Sequence, residues 1–363
     1  MDYSQELITT LHDFGEASPS VPTERAAIIL PMTEREYADL ATEHLLSELE
    51  PINIGQVVVP LRASNDKISS FNEWLTSFNL PLTIIWDKGP CLEALLENYD
   101  LDGSIGKGRD IWLAIGVAQS YDYLIFYDAD TTSFKIQDIQ KLLFPLNHGY
   151  EFVKGYYARV EEDGLYGRLN RLFFTPVLSA LDTEYDHDFI SYLQSFRYPL
   201  AGECSMTANQ AKNIRLERQW GLEVGILNEV YDIANFEHSA QVDLGYHRHD
   251  HRSISGPTGL TEMSERVGDS LFRSLESRGF TIDYSDLRER YQTQAKRLIR
   301  QYKMDALFNN LQYSESQEYH QIQEYKKAIT EPSANNRLPR WSETALSQSA
   351  LRSAIQEDLD NVQ

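Results

Sequence analysis

Two carboxylates lie one residue apart in the segment DYLIFYDADTTSF, residues 122–134. Asp128 and Asp130 follow the apolar and aromatic run YLIFY, which predicts a buried strand over 123–127. Neighbouring carboxylates repel each other and are costly to desolvate unless a cation or a ligand lies between them. Their hard oxygens suit Mg²⁺ or Mn²⁺ held against a diphosphate. The tripeptide alone is more typical of a turn or a helix N-cap, but its position after a buried strand reverses that preference.

A glycine-rich motif, GKG at residues 106–108, opens a segment with helical spacing just before this strand. Glycine lets the backbone approach a ligand closely, and the N-terminus of a helix favours anions. Lys107 is therefore a candidate contact for a nucleotide, with a solvated loop lysine as the alternative. The motif is not a Walker A loop, because the GxxxxGK[ST] spacing is absent.

Three of the nine histidines lie in the segment HRHDH, residues 247–251. On an extended segment, His247, His249 and His251 point to one face and form a candidate set of metal ligands. A zinc site normally draws on a cysteine pair or a HExxH helix, and the sequence contains neither a CxxC nor a HExxH motif. One histidine joining Asp130 on a Mg²⁺ or Mn²⁺ site is the simpler interpretation. A basic loop that offsets local acidity is the alternative.

Two acidic residues stand in apolar surroundings, Glu203 in PLAGE and Glu223 in WGLEVGIL. Buried carboxylates are uncommon unless they are paired or functional. Trp220, three residues before Glu223, offers a flat face of the kind on which sugar rings stack. Structural pairing with arginine is the alternative for Glu203 and a weaker alternative for Glu223.

These residues need elements that bring them together, and the first half of the chain predicts an alternation of strands and helices. Short apolar runs predict strands over 26–31, 57–61, 80–86 and 123–127. Helical spacing covers 34–50, 66–78 and 106–120. This βαβαβ rhythm is typical of an α/β fold with a mostly parallel sheet, whose ligands bind at the carboxyl ends of the strands. Asp128 and Asp130 lie at such an end.

The second half of the chain predicts further strands and then mainly helices. The predicted strands are 152–160, 199–208 and 239–247, and the predicted helices are 167–181 and most of the chain from 259 onward. We therefore expect one large catalytic domain over 1–280 and a helical C-terminal extension over 281–363. The polar composition after Pro332 predicts a mobile tail.

Composition limits the function classes. Of the 363 residues, 33 are basic and 55 acidic, which gives a formal net charge of -22. Such a surface repels nucleic acid and anionic membranes, so neither is an expected partner. Two cysteines without a CxxC motif indicate a reducing compartment, and the polar, acidic N-terminus does not resemble a signal peptide. No apolar run approaches the length of a bilayer span. We therefore expect a cytoplasmic protein.

Six segments carry a resemblance to a known family. They are GKG (106–108), DAD (128–130), GRLN (167–170), PLAGE (199–203), WGLEVGIL (220–227) and AQVDLGYHRHDH (240–251). Together they resemble the glucosyl-3-phosphoglycerate synthases, retaining glycosyltransferases of the Rossmann-like GT-A fold, over roughly residues 25–280. DAD is shared by many GT-A enzymes, whereas the ordered set of the last three segments is far more specific. The resemblance implies a nucleotide-sugar half at about 25–150 and an acceptor half at about 151–258.

The resemblance also implies a role for each group of site residues. The metal ion, Mg²⁺ or Mn²⁺, would be bound by Asp130 and His249. The nucleotide sugar would be bound by Pro31, Glu34, Lys107, Asp128, Ala129, Asp130, Leu200, Gly202, Trp220 and Glu223. The catalytic residues would be Asp130 and Glu223. The phosphate and carboxylate of the acceptor would be bound by Gly167, Arg168, Asn170 and His251.

The sequence departs from the family pattern at several positions. PMTERE (31–36) stands where the family often has PALNEE, and PLRASND (60–66) stands where it usually has an acidic, serine-rich loop. Asn170, His251 and Trp220 stand where threonine, asparagine and tyrosine are usual. The segment FYDADTTSF is also similar to the mannosylglycerate synthases, another group of retaining GT-A enzymes.

The resemblance implies metal-dependent transfer of glucose from a nucleotide-diphosphate glucose to 3-phospho-D-glycerate, with retention of configuration. The product would be glucosyl-3-phosphoglycerate, a precursor of the compatible solute glucosylglycerate. Alternatives are a mannosyl- or glucosylglycerate synthase that uses unphosphorylated glycerate, a sugar nucleotidyltransferase, and a non-catalytic sugar-binding module. A nucleotidyltransferase usually carries an N-terminal glycine-rich phosphate loop, and none follows AAIILP. The expected partners are the sugar nucleotide and 3-phosphoglycerate, with a homodimer as one option for the assembly.

Overall fold

The structure, a computed structural model, describes residues 4–161, 164–248 and 257–362. Its strands are β1 (Thr9–Leu11), β2 (Ala26–Ile29), β3 (Met32–Thr33), β4 (Gln56–Arg62), β5 (Leu82–Trp86), β6 (Tyr123–Phe126), β7 (Phe152–Glu161), β8 (Gly164–Leu165), β9 (Cys204–Thr207) and β10 (Ser239–His247). Its helices are α1 (Leu40–Leu49), α2 (Ile68–Thr76), α3 (Pro90–Glu97), α4 (Lys107–Ala118), α5 (Ile136–Leu146), α6 (Thr175–Asp182), α7 (Asp188–Ser195), α8 (Ala208–Ala211), α9 (Leu222–Ile233), α10 (Pro257–Glu276), α11 (Tyr284–Phe308), α12 (Glu315–Lys326) and α13 (Gln348–Asp360). A π-helix covers Asn170–Phe174, and 3-10 turns cover Thr23–Arg25, Glu34–Glu36 and Trp341–Glu343.

The strands form one mixed, mostly parallel sheet. Their order is β1-β10-β7-β9-β6-β2-β4-β3, with β5 paired to β4 and β8 paired to β7. Strand β2 is parallel to β4 and β6, and β10 is parallel to β1 and β7, whereas β9 is antiparallel to both β6 and β7. The first residues of β9 therefore lie at the same edge of the sheet as the last residues of β6, β7 and β10. The predicted α/β class with a mostly parallel sheet is confirmed.

Both faces of the sheet are covered by helices, which is why strands β2 and β6 are apolar or aromatic at every position. In β2, Ala26 and Ile28 face one layer, Ala27 and Ile29 face the other, and all four are fully buried. One layer contains α1, α2 and α5, and the other contains α3, α4 and the helices from α6 onward. Within the described residues, no helix combines the length and the apolar character that crossing a membrane requires.

Several predicted boundaries need correction. The helix predicted over 34–50 begins only at Leu40, because Asp39 ends the preceding turn and accepts a hydrogen bond from the amide of Ala41 at 3.0 Å. The strand predicted over 199–208 is limited to β9, because the residues before Cys204 leave the ladder and line a cleft. The helix predicted over 167–181 begins as the π-helix and continues as α6.

The C-terminal tail is packed against the rest of the chain, so the prediction of a mobile segment after Pro332 is not supported. Trp341 stacks on Trp112 of α4, with 4.3 Å between the ring centroids, and donates its Nε1–H to the carbonyl of Trp112 at 2.6 Å. In α13, Asp358 accepts hydrogen bonds from two backbone amides at the start of α3, which a helix N-terminus leaves unpaired. The polar composition was misleading because a few apolar and capping side chains suffice to anchor this tail.

Candidate active site

A large cleft, with a volume of about 1320 Å³, opens at the edge of the sheet where β6, β7 and β10 end. One wall contains acidic residues, a lysine and a tryptophan: Glu36, Asp39, Lys107, Asp128, Asp130, Trp220 and Glu223. A second set of lining residues, called here the basic wall, contains arginines, tyrosines and residues of the C-terminal helices: Tyr157, Arg159, Arg168, Tyr198, Tyr313, Gln317, Glu318 and Gln321. The lining of the cleft therefore combines an acidic set, called here the acidic wall, which also includes Arg35, with a set that contains two arginines and several aromatic side chains.

Most of the residues singled out in the sequence meet in this cleft. Those that line it are Lys107, Asp128, Asp130, Gly167, Arg168, Asn170, Leu200, Gly202, Trp220 and Glu223. Pro31, Glu34 and Ala129 do not line it; Ala129 is buried, and its carbonyl accepts a hydrogen bond from Thr42 Oγ1 at 3.2 Å. His249 and His251 lie outside the described residues.

Lys107 lies between two carboxylates of the acidic wall. Its Nζ is 2.6 Å from Asp128 Oδ1 and 3.7 Å from Glu223 Oε1. Burial lowers the pKa of this ammonium, but attraction by Asp128 and Glu223 outweighs burial and raises the pKa above its usual value. Because Lys107 is also the first residue of α4, its fixed positive charge and the helix N-terminus both favour an anionic ligand such as a diphosphate.

The glycines around Lys107 serve close packing. A Cβ atom added to Gly108 would lie 1.7 Å from the carbonyl oxygen of Glu217, so α4 can approach the segment leading to Trp220 only with glycine there. The expectation that this glycine lets the backbone approach a ligand is therefore corrected. A Cβ atom on Gly202 would lie 2.6 Å from Asp128 Oδ2, so the PLAGE segment leaves room for the Lys107–Asp128 pair.

Trp220 and Glu223 stand at the start of α9. The Trp220 side chain is 40% exposed in the wall of the cleft, so its ring is open to a ligand. Glu223 lies in the first turn of the helix, where a carboxylate is favoured by the helix dipole. From the sequence, pairing with an arginine is the alternative role of Glu223. The charged group near Glu223 is instead Lys107, at 3.7 Å.

Glu203 and His247 form a buried pair beneath the cleft. Glu203 Oε1 is 3.0 Å from His247 Nε2, and both side chains are at most 1% exposed. The imidazole also stacks on Tyr157, with 4.1 Å between ring centroids. Burial lowers the pKa of His247, but the charge and the hydrogen bond of Glu203, together with the charges of Asp138 and Asp128, raise it by more, so the pKa is above its ordinary value. Glu203 is therefore satisfied by a histidine rather than by the arginine considered from the sequence, and His247 is committed to the core.

The backbone after His247 runs beside the residues that follow Asp130. The amide of Thr132 donates to the carbonyl of Arg248 at 2.8 Å, and the amide of Arg248 donates to Ser133 Oγ at 3.0 Å. The chain thus enters the neighbourhood of Asp130 just before the predicted histidine ligand.

The residues around Asp130 fit a hard divalent cation. Burial raises the pKa of Glu36, and the nearby charge of Asp130 adds to that rise, so negative charge accumulates at this point of the wall. Within residues 4–161, 164–248 and 257–362, no three histidine, cysteine or acidic side chains form a metal-binding group. A cation here would therefore have few ligands from the described residues and would leave positions for the oxygens of a diphosphate, as Mg²⁺ sites commonly do.

Glu34, predicted for the nucleotide pocket, binds the loop after β4. Its Oε2 is 2.6 Å from Lys67 Nζ, and its Oε1 accepts a hydrogen bond from the amide of Ser64 at 2.6 Å. These hydrogen bonds from Lys67 and Ser64 lower the pKa of Glu34 to about 2. The two segments in which the sequence departs from the family pattern, 31–36 and 60–66, are therefore in contact with each other.

The basic wall includes the GRLN segment. Gly167 has a φ of +73°, in the left-handed region that favours glycine. Arg168 donates from Nε to Glu318 Oε1 at 3.1 Å, and the buried Oδ1 atom of Asn170 has no hydrogen-bond partner among the described residues. Arg159 also lines this wall, and sequence reasoning missed it. Its signal was an arginine near the carboxyl end of the predicted strand FVKGYYARV, the end at which ligands of such sheets bind.

The sheet topology and the Asp-x-Asp pair beside a lysine-bearing helix are those of a glycosyltransferase with the GT-A fold. Comparison with models of protein families finds no match. The glucosyl-3-phosphoglycerate synthase of Methanococcoides burtonii is 32% identical to this chain, over 98% of this chain and 97% of its own. The chain belongs to the glucosyl-3-phosphoglycerate synthase family, and the resemblance noted in the sequence is confirmed.

Solved structures of two related proteins share the fold. The glucosyl-3-phosphoglycerate synthase of Mycobacterium tuberculosis, in complex with Mg²⁺ and uridine diphosphate, has a TM-score of 0.57 at 21% identity, covering 76% of this chain and 89% of its own. The mannosyl-3-phosphoglycerate synthase of Rubrobacter xylanophilus has a TM-score of 0.55 at 26% identity, covering 70% of this chain and 74% of its own. The predicted GT-A fold is confirmed.

Proposed function

We propose that the protein transfers glucose from a nucleotide-diphosphate glucose to 3-phospho-D-glycerate, giving glucosyl-3-phosphoglycerate. The observation that carries this proposal is one cleft with two chemically different walls in a chain of this family. The acidic wall with Lys107 suits a diphosphate with its cation, and the basic wall suits a second anion. The M. tuberculosis enzyme has been solved with Mn²⁺, uridine-diphosphate-glucose and phosphoglyceric acid together, which supports the same pairing of ligands here.

The acidic wall is proposed to bind the donor. Lys107 and the N-terminus of α4 bind the diphosphate, while Asp130 and His249 hold the cation. When bound, Mg²⁺ or Mn²⁺ neutralises charge that develops on the departing nucleoside diphosphate. Trp220 and Glu223 bind the sugar, with the Trp220 ring as a stacking face and the Glu223 carboxylate as a hydrogen-bond acceptor. Pairing with Lys107 makes Glu223 a weaker nucleophile, which favours attack by the acceptor on the same face of the sugar.

The basic wall is proposed to bind the acceptor. Arg168 offers a planar guanidinium that can donate two hydrogen bonds to a phosphate or carboxylate. Gly167, Asn170 and His251 complete the predicted acceptor set. A chain with a net charge of -22 must still bind two anionic ligands. The arginines of the basic wall supply local positive charge for the acceptor.

The decisive assay supplies the protein with a panel of sugar nucleotides and three-carbon acids, with and without Mg²⁺ or Mn²⁺, and identifies products by mass. The expected product is a hexosyl-3-phosphoglycerate formed from a glucose nucleotide only when metal is present. Mannose is the second candidate sugar, because the fold is also similar to a mannosyl-3-phosphoglycerate synthase at 26% identity. Transfer to glycerate in preference to 3-phosphoglycerate would contradict the proposed acceptor.

A cytoplasmic location and a domain boundary near residue 280 are further proposals. Both cysteines, Cys91 and Cys204, are free thiols, which supports a reducing compartment. Helix α11 begins at Tyr284, shortly after the proposed boundary.

Replacing Arg168 with alanine is expected to weaken acceptor binding and leave donor binding nearly unchanged. A charge-assisted hydrogen bond contributes about 1.5–3 kcal/mol, so the KM for 3-phosphoglycerate should rise about ten- to a hundredfold. The measurement is steady-state kinetics with each substrate varied in turn. A variant that uses 3-phosphoglycerate as well as the parent does would show that Arg168 is not the acceptor ligand.

His249 and His247 should differ sharply when each is replaced with alanine. His249→Ala should raise the metal concentration needed for half-maximal activity about ten- to a hundredfold, because a cation ligand is lost. His247→Ala should instead lower thermal stability, because it leaves the buried carboxylate of Glu203 without its partner. Metal titrations measure the metal requirement of both variants, and thermal unfolding measures their stability. Equal metal requirements in the two variants would contradict the assignment of His249.

A further inference from the structure

One carboxylate of the C-terminal helices is shared by two arginines at the basic wall. Glu318 of α12 accepts a hydrogen bond from Arg168 Nε at 3.1 Å and from Arg171 Nη1 at 3.1 Å. The Tyr313 hydroxyl donates to the same carboxylate at 3.3 Å. The Glu318 side chain is 3% exposed although it lies in the wall of the cleft. Burying a carboxylate is costly, and a helix that served only for packing would bury an apolar side chain at this position. The polar helix α12 instead buries Glu318 here.

The second arginine ties this carboxylate to the GRLN loop. Arg171 donates from Nε to the carbonyl of Tyr166 at 2.8 Å and from Nη2 to the carbonyl of Leu165 at 3.2 Å. Its amide donates to the carbonyl of Gly167 at 3.0 Å. Arg171 is 5% exposed, so Glu318 is the charge that compensates it in the interior. The conformation of residues 165–167 therefore depends on the Arg171–Glu318 pair.

Arg168 is held by the same helix and remains partly exposed in the cleft. Its Nη2 lies 3.5 Å from Gln317 Oε1, in addition to the bond from Nε to Glu318, yet its side chain is 38% exposed. One edge of the guanidinium is thus anchored by α12, and the remaining N–H groups are available to an anion in the cleft. Holding a long side chain in its binding position before the ligand arrives reduces the entropy lost on binding.

We propose that Glu318 is a positioning residue for the acceptor, so that helix α12 of the C-terminal extension forms part of the acceptor site. This proposal rests on the proposed function, in which Arg168 binds the phosphate or carboxylate of a phosphorylated three-carbon acid. Glu318 acts through Arg168 and Arg171 and makes no contact with the reacting atoms. Gln321 continues the same face one turn later: it lines the cleft, is 6% exposed, and its Nε2 atom has no hydrogen-bond partner within the part of the chain that the structure describes.

The competing possibility is that Glu318 occupies Arg168 and must be displaced by the acceptor. The two possibilities predict opposite effects of Glu318→Gln, which keeps the shape of the side chain and removes its charge. As a positioning residue, Glu318 is needed by both arginines, and the amide of glutamine can accept from only one oxygen. As a competitor, its neutralisation would leave more positive charge for the acceptor and tighten binding.

Glu318→Gln is expected to raise the KM for 3-phosphoglycerate about tenfold, corresponding to the loss of roughly one charge-assisted hydrogen bond. The KM for the sugar nucleotide and the kcat at saturating acceptor should change less than about twofold on the same reasoning, since the lost bond affects acceptor binding alone. The preference for 3-phosphoglycerate over glycerate should fall with the acceptor affinity. Glu315→Gln is the matched control, because Glu315 lies on the same helix in a 2.6 Å ion pair with Lys303 and does not line the cleft.

Three outcomes would overturn the proposal: an unchanged acceptor KM, a lowered one, or equal effects in the Glu318 and Glu315 variants. A purely structural role would lower kcat through loss of folded enzyme and leave the acceptor KM unchanged, and thermal unfolding of both variants measures that loss. If Glu318→Gln does not fold, Gln317→Ala, which removes only the second contact to Arg168, should still raise the acceptor KM. Failure of the proposed function is seen separately, as absence of product from 3-phosphoglycerate in the parent enzyme.

Discussion

Replacing Asp130 with alanine should abolish turnover while the fold is retained. Asp130 lies in the cleft just after β6, in the centre of the sheet. The family resemblance implies that Asp130 binds the cation, and Asp128 is bound to Lys107 at 2.6 Å. A metal ion contributes several kcal/mol to stabilising the leaving diphosphate, and each 1.36 kcal/mol is a factor of ten in rate. We therefore expect kcat to fall on the order of a thousandfold or more.

The loss should be chemical rather than structural. Turnover is measured at saturating Mg²⁺ or Mn²⁺, Mn²⁺ binding is measured by electron paramagnetic resonance, and thermal unfolding reports the fold. Asp122→Ala is the control, because Asp122 precedes the other end of β6 and pairs with Arg25 at the exposed surface. That variant should bind Mn²⁺ like the parent. Full activity of the parent in excess chelator would refute the assigned role of Asp130.

The fold could be predicted because each strand can be recognised from its own short stretch of sequence. Strand β2 is buried on both faces, so its sequence is apolar at every position, and the same pattern identified the strands that pair with it. The carboxylates after β6 could be located for the same reason. The packing of the tail was harder to predict, because it depends on contacts with distant segments, among them the stacking of Trp341 on Trp112 and the hydrogen bond of Asp358 to the start of α3.

The contacts within the site were less accessible to sequence reasoning, because they join distant segments. Glu318 and Arg168 are 150 residues apart, and α12 reads as an ordinary polar helix. The hydrogen bond from the amide of Ser64 to Glu34 spans 30 residues and joins the two segments that depart from the family pattern. Gly108 was expected to approach a ligand and instead lets α4 pack closely on a neighbouring segment. A residue type at the end of a strand indicates which chemistry is possible there, but it does not identify the distant residue with which that side chain pairs.

Lys107→Ala should produce the largest loss of donor affinity. The lysine separates Asp128 and Glu223, at 2.6 and 3.7 Å from its Nζ, and its removal leaves these two carboxylates facing a diphosphate. The variant loses a charge-assisted bond of about 1.5–3 kcal/mol and gains repulsion between like charges. We therefore expect the KM for the sugar nucleotide to rise roughly a hundred- to a thousandfold. The KM for 3-phosphoglycerate should change far less, because the proposed acceptor ligand Arg168 belongs to the basic wall and not to the set around Lys107.

The control and the pH dependence make this test specific. Lys326→Ala is the matched control, because Lys326 has the same 24% side-chain exposure and the same 2.6 Å ion-pair distance, to Glu289, but does not line the cleft. Because the pKa of Lys107 is raised above its usual value, this group stays protonated as pH rises, and it should cause no loss of donor affinity below pH ~10. Lys107→Arg keeps the charge and should recover part of the affinity. Calorimetric titration of a nucleoside diphosphate with Mg²⁺ measures each variant directly. Equal donor affinity in Lys107→Ala and Lys326→Ala would show that the ammonium serves only to separate the two carboxylates.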